Sequence, residues 1–67
     1  MEISARNQLP GRITSITLGT VMAEVVVDIG GHGVTAAITR ASAEQLALTE
    51  GDQVTVIIKA TEVMLGK

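Results

Sequence analysis

Three short stretches of the chain gather hydrogen-bond donors with no carboxylate among them. Ser4-Ala5-Arg6-Asn7 places a hydroxyl, a guanidinium and an amide within four residues. Thr39 and Ser42 bracket the start of an expected short helix, whose first backbone N–H groups point outward and can receive an anion. Lys59-Ala60-Thr61 adds an ammonium and a further hydroxyl at the end of an expected strand. Groups of these kinds only donate or can donate, and they suit a ligand that only accepts. Each stretch also has a plainer reading. Ser42 serves as a helix cap, Arg6 as a solvated charge, Lys59 as a strand-end cation.

Catalysis finds less material. His32, the single histidine, stands among glycines in an expected turn, where it reads as a solvated surface residue with no substrate proton within reach. No nucleophile–base–acid constellation, phosphate-binding loop or carboxylate pair is discernible, and Glu44 and Glu50 read as solubilising charges. There is no cysteine, and the seven carboxylates are scattered, so no side-chain cluster with metal-ligand spacing arises. The chain reads as a binder, not an enzyme, with no catalytic residue, no cofactor and no directly ligated metal.

The elements that must hold these donors are short and β-rich. Glycines punctuate the chain at 11, 19, 30, 31, 33, 51 and 66, and the segments between them carry many β-branched residues. A first strand is expected over Arg6 to Leu18, with Pro10 marking an edge position or a bulge. Gly19 and Thr20 connect it to a second strand, Val21 to Asp28, on which Val21, Ala23, Val25 and Val27 share one face. Gly30-Gly31-His32-Gly33 reads as a hairpin turn. A third strand, Val34 to Thr39, turns Val34, Ala36 and Ile38 to one side. Ser42 with Gln45 three residues on has the capping-box spacing, so one or two helical turns starting at Ser42 and ending near Gly51 are expected. Gln53 to Lys59 forms a further strand whose adjacent apolar residues imply burial on both faces, and so subunit contacts. Glu62 to Leu65 is expected to be a last strand. The order, three strands, a short helix, then one or two strands, is that of an all-β, OB-like five-stranded barrel with its helix between strands 3 and 4. An SH3-like barrel is the nearest alternative.

Residues 1–67 make a single domain, and a small one. Apolar residues are 46% of the chain yet none is aromatic, so aliphatic side chains alone must offset the ordering cost of about 1.5 kcal/mol per residue. With neither disulfides nor a structural metal available, self-association is the remaining remedy. The net charge of −2 and the lack of any Phe, Tyr or Trp exclude the basic groove and stacking platforms of a nucleic-acid binder. No run of 18 apolar residues and no leader-like opening is present, so a soluble, cytoplasmic protein without membrane contact is expected.

Several stretches taken together are distinctive. They are Ile3-Ser4-Ala5-Arg6-Asn7-Gln8-Leu9 followed by Gly11, then Ala23-Glu24-Val25, the glycine-rich hairpin and Ile38-Thr39. Val56-Ile57-Ile58-Lys59-Ala60-Thr61 and Val63-Met64 complete the set. In these the chain resembles, nearly end to end, the molbindins, the small stand-alone members of the Mop/TOBE molybdate-binding family. The resemblance implies an OB-like fold and a homohexamer arranged as a trimer of dimers, serving molybdenum storage or homeostasis. It implies molybdate or tungstate sites at subunit interfaces. Ser4, Arg6 and Lys59, with the backbone around Ala5, Asn7 and Ala60, would come from one subunit, and Thr39 and Ser42 from another. It also implies oxyanions on the threefold axis, held by backbone near the second strand. Many relatives have asparagine there, before the alanine-glutamate pair, whereas this chain has Met22.

Overall fold

β-Branched residues on a two-residue period build four strands in the computed structural model, which describes residues 1–67. They are β1 (Asn7–Leu18), β2 (Met22–Ile29), β3 (His32–Thr39) and β4 (Gln53–Ile58), with one short helix, α1 (Arg40–Gln45), between β3 and β4. All pairs are antiparallel and the sheet order is β3-β2-β1-β4. The all-β class and the place of the helix are those the sequence implies.

β1 is twice as long as β4 and serves two partners. Its residues Asn7 to Arg12 pair with β4, and Arg12 to Leu18 pair with β2. The strand bends where it changes partner. The register with β2 slips between Ile13 and Ser15, leaving Thr14 as the extra residue of a bulge. At Gly11 a Cβ would stand 2.5 Å from Val27 Cγ1 and 2.8 Å from the Asp28 carbonyl oxygen, so only glycine lets β1 pass this close to the end of β2. Pro10 lies opposite Thr55, on the stretch where β1 has β4 as its sole neighbour. The missing N–H therefore falls at an edge, and the bulge lies further along.

The β2–β3 hairpin turns in two residues. Gly30 and Gly31 both take positive φ, +57° and +92°, as a turn matched to strand twist requires. The turn is tighter than expected, because His32 and Gly33 already pair with Ile29 and Asp28. β2 likewise begins at Met22, and Val21 stands exposed before it.

Ile13, Val25 and Val27 form the buried centre, with Ile16, Ile29, Ile38, Leu48, Val54 and Val56 packed on it. Ala23, Val25 and Val27 face inward together, as their alternation implies. On β4 the single chain supplies cover for one of the two faces. Val54, Val56 and Ile58 are half-buried while Thr55 and Ile57 face out, because the chain itself covers only one side of this edge strand.

The fifth strand is not formed. Ala60–Glu62 is a single 3-10 turn, and Val63, Met64 and Leu65 beyond it are 47%, 92% and 96% exposed. A strand needs a neighbour for its backbone groups, and none of this chain's strands pairs with the segment. The sheet accordingly stays open. β3 and β4 are its edges, and a cleft of about 240 Å³, walled by Val25, Val27, Ala36, Ile38, Val54 and Val56, opens onto the core between them.

The consequence is a large surface for so short a chain. It measures 5234 Å², against about 4,000 Å² for a compact monomer of this mass. The Cα radius of gyration is 12.3 Å, against about 11 Å.

Because the close approach at Gly11 involves backbone as well as side chain, Gly11→Ala is expected to lower stability by about 1–3 kcal/mol, read as a fall in the urea midpoint at constant slope. An unchanged midpoint contradicts the crossing described here.

Candidate anion site

The first half of the site is assembled by the β1–β4 ladder. Asn7 opens β1 directly opposite Ile58 of β4, so the segment Ser4–Arg6 just before β1 lies beside Lys59 and Ala60 just after β4. Two side-chain amides fasten it. The Asn7 amide nitrogen donates to the Ile58 carbonyl at 3.1 Å, and that of Gln8 donates to the Ala5 carbonyl at 2.9 Å. Ser4, Arg6, Lys59 and Ala60 are exposed, Ala5 and Asn7 half-buried. The single ion pair of the chain is Arg40–Glu44, so both Arg6 and Lys59 are cations without a carboxylate partner.

The second half lies where β3 runs straight into α1. Thr39, the last residue of β3, has the extended backbone (φ −70°, ψ 149°) that a helix cap requires. Its Oγ1 accepts the Ser42 N–H at 3.0 Å and donates to Ser42 Oγ at 2.8 Å. The cap is therefore Thr39, where the sequence suggests Ser42; strand geometry has already set the Thr39 backbone for the task, and Ser42 falls inside the first turn. The helix is correspondingly short, ending at Gln45 with Leu46 as its cap, well before Gly51. Capping also closes much of the expected helix-end donor set. The Arg40 N–H bonds the Val21 carbonyl at 2.8 Å and the Ser42 N–H is held by Thr39. Thr39 and Ser42 share one hydroxyl–hydroxyl hydrogen bond, which leaves one hydroxyl proton of the pair free to reach outward.

Arg40 is a neighbour that reasoning from sequence passed over. It lines the shallow depression beside Thr39, Thr20 and Val21, but its charge is committed. Nε pairs with Glu44 Oε1 at 2.7 Å, and Nη1 donates to the Gly19 carbonyl at 3.3 Å. The four-residue spacing of Arg40 and Glu44 was the available signal.

The register fixes how the two halves relate. Asn7 pairs with Ile58 at one end of β1, whereas Leu18 pairs with Ala23 at the other, where Met22 of β2 pairs with Thr39. The two donor groups thus belong to opposite ends of β1 in the pairing scheme, while the curled sheet sets Ile38, next to Thr39, and Ile57, two before Lys59, on one cleft. Donors must come within about 3 Å of an oxygen to bond it. One chain brings Ser4, Ala5, Arg6 and Asn7 to Lys59 and Ala60, and Thr39 to Ser42, and no side-chain hydrogen bond or ion pair joins the two groups.

The family profile described as TOBE domain matches residues 3–65. The chain belongs to the TOBE domain family. It is 48% identical to "Molybdenum-pterin-binding protein 3" of Clostridium pasteurianum, over 97% of this chain and 97% of that protein. It is also 48% identical to a "Probable molybdenum-pterin-binding protein" of Haemophilus influenzae, over 98% and 97% of the two chains. Its fold matches that of a molybdate binding protein from Sporomusa ovata with a TM-score of 0.95, at 46% identity and full coverage of both chains. The family resemblance drawn from the Ser4–Asn7 and Ile57–Thr61 stretches is thereby established.

Within this TOBE fold, Met22 stands half-exposed at the head of β2. Thr39→Ala is expected to cost about 1 kcal/mol of stability through loss of the cap, and Ser42→Ala clearly less. Equal losses in thermal or urea unfolding contradict the assignment of Thr39 as the cap.

Proposed function

We propose that this chain is a molybdate-binding protein whose copies assemble into a homohexamer, a trimer of dimers, and hold the anion at the seams between them. The observation that supports the reading is the division of the donors into two groups, at the two ends of β1, that no bond within the chain joins. Arg6 and Lys59, with Ser4 and the backbone at Ala5, Asn7 and Ala60, are presented at one end, and Thr39 with Ser42 at the other. A tetrahedral anion meets both sets only where the end of one copy abuts the opposite end of another.

Molybdate fits this donor set. At pH 7 it is a fully deprotonated dianion that only accepts hydrogen bonds, and the two free cations match its charge. Hydrogen phosphate carries a proton that wants an acceptor, so an all-donor pocket leaves that proton unpaired and disfavours it. Sulfate is rejected by cavity size instead, and tungstate, nearly the size of molybdate, binds with it. The chain has no aromatic ring on which a pterin could stack, so the bare anion is the ligand that fits. In this reading the protein stores or buffers molybdenum in the cytoplasm, catalyses nothing, and engages neither nucleic acid nor membrane.

Self-assembly is supported by surface that the single chain leaves uncovered. Only six of the 67 residues are buried, while eleven large apolar residues are exposed. The excess surface, about 1,200 Å² over a compact monomer, is of the size a specific interface buries. The Val63–Leu65 segment and the open cleft between β3 and β4 are complementary: one is an apolar strand-like tail without a neighbour, the other an apolar gap with two free edges. A tail entering the cleft of a second copy supplies the missing strand.

Titration calorimetry with molybdate, run beside mass determination in solution, tests the reading: an oligomer binding molybdate and tungstate far more tightly than phosphate is expected, and a well-folded monomer indifferent to both anions contradicts it. Arg6→Ala is expected to weaken molybdate binding about tenfold, or 1.4 kcal/mol, as loss of a charge-assisted bond should. Deletion of residues 63–67 is expected to yield smaller species by sedimentation, and an unchanged mass removes the tail from the interface.

A further inference from the structure

Three side-chain hydrogen bonds converge on the segment that carries Ser4 and Arg6, and none of them reaches outward. The Gln8 amide nitrogen donates to the Ala5 carbonyl at 2.9 Å and, more weakly, to the Ile3 carbonyl at 3.4 Å. The Asn7 amide nitrogen donates across the ladder to the Ile58 carbonyl at 3.1 Å, one residue before Lys59. All three are amide donors spent on backbone oxygens.

We propose that the side-chain amides of Gln8 and Asn7 are positioning groups for the anion site, aiming the backbone N–H groups of Ser4 and Arg6 at the anion and locking them to Lys59 without themselves touching the anion. The inference rests on the anion-binding reading above and deepens it. In a planar trans peptide the C=O of one residue and the N–H of the next point in opposite directions. Holding the Ile3 and Ala5 carbonyls against Gln8 therefore turns the N–H groups of Ser4 and Arg6 to the other side. None of the loop and cap hydrogen bonds uses either N–H, so both are free to donate. The same bonds draw two carbonyl oxygens away from the face that an anion approaches, where their negative ends would repel it. Asn7 then fixes this loop to the strand end from which Lys59 projects, so that the N–H pair, the Arg6 guanidinium and the Lys59 ammonium keep one geometry.

Gln8 is exposed and its bonds are local, so its loss is expected to leave the fold intact. Gln8→Met keeps the length and removes the donor. With molybdate as the probe, the wild-type oligomer is expected to show amide nitrogen and proton shifts at Ser4 and Arg6. Gln8→Met is expected to bind at least about fivefold more weakly, about 1 kcal/mol, with the Ser4 and Arg6 shifts diminished and those near Ser42 retained. Asn7→Leu, which removes the tie to Ile58, is the second variant and is expected to weaken binding similarly while leaving the oligomer mass unchanged. Wild-type affinity and undiminished Ser4 and Arg6 shifts in both variants overturn the positioning role alone. Failure of the wild-type protein to bind molybdate overturns the anion-binding reading, and the positioning role with it.

Discussion

With no fifth strand to bridge β3 and β4 the sheet of this 67-residue chain stays open, and that opening governs the rest of the molecule. Ile13, Val25 and Val27 form a buried centre, but the edges β3 and β4 do not meet and the cleft between them reaches that centre. Unpaired edges and an exposed core are costly in water. In the proposed assembly a second copy relieves both at once. The Val63–Leu65 tail points to the same conclusion from the other side, being apolar, extended at its start and without a neighbour in its own chain.

In the proposed assembly, binding and association are the same event seen from two directions. β1 has one donor group at each end of its ladder, and within one chain no bond joins them. The two halves also differ in kind. Arg6 and Lys59 bring two uncompensated positive charges, whereas at the other end Arg40 is neutralised by Glu44 and hydroxyls are what remain. One copy thus offsets the charge of a dianion and the other completes its hydrogen bonding. A ligand that binds only the joined state stabilises that state by mass action, so anion and assembly each favour the other.

Much of this was legible in the chain. Alternation placed Ala23, Val25 and Val27 on one face of β2, paired glycines located the hairpin, and the order of segments placed the helix between β3 and β4. What escaped has physical causes. Ser42 with Gln45 has a capping-box spacing, but Thr39 already holds the extended backbone that a cap needs, because it ends a strand that runs into the helix without a linker. Glu62 to Leu65 has strand composition, yet a strand is defined by its neighbour, and within one chain it has none. The two-faced apolar pattern of β4 implies subunit contacts, and within one chain only its first face is covered. The need for glycine at 11 arises from the crossing of β1 over β2, a contact between residues far apart in sequence. Of the candidate site, the residue types were readable in the chain and their division into two groups came only with the family resemblance; the register adds that the groups belong to opposite ends of β1.

The central claim is that each site is completed by two copies, and complementation tests it most directly. One variant carries Arg6→Ala with Lys59→Ala, and the other Thr39→Val with Ser42→Ala. Each assembled alone is expected to lose molybdate binding, since every seam lacks one half of its donors. Co-assembled, the two variants are expected to regain binding at those seams where an intact cation end meets an intact hydroxyl end. Full-affinity binding by the Thr39/Ser42 variant on its own, or mixed oligomers that recover nothing, contradicts a site divided between subunits.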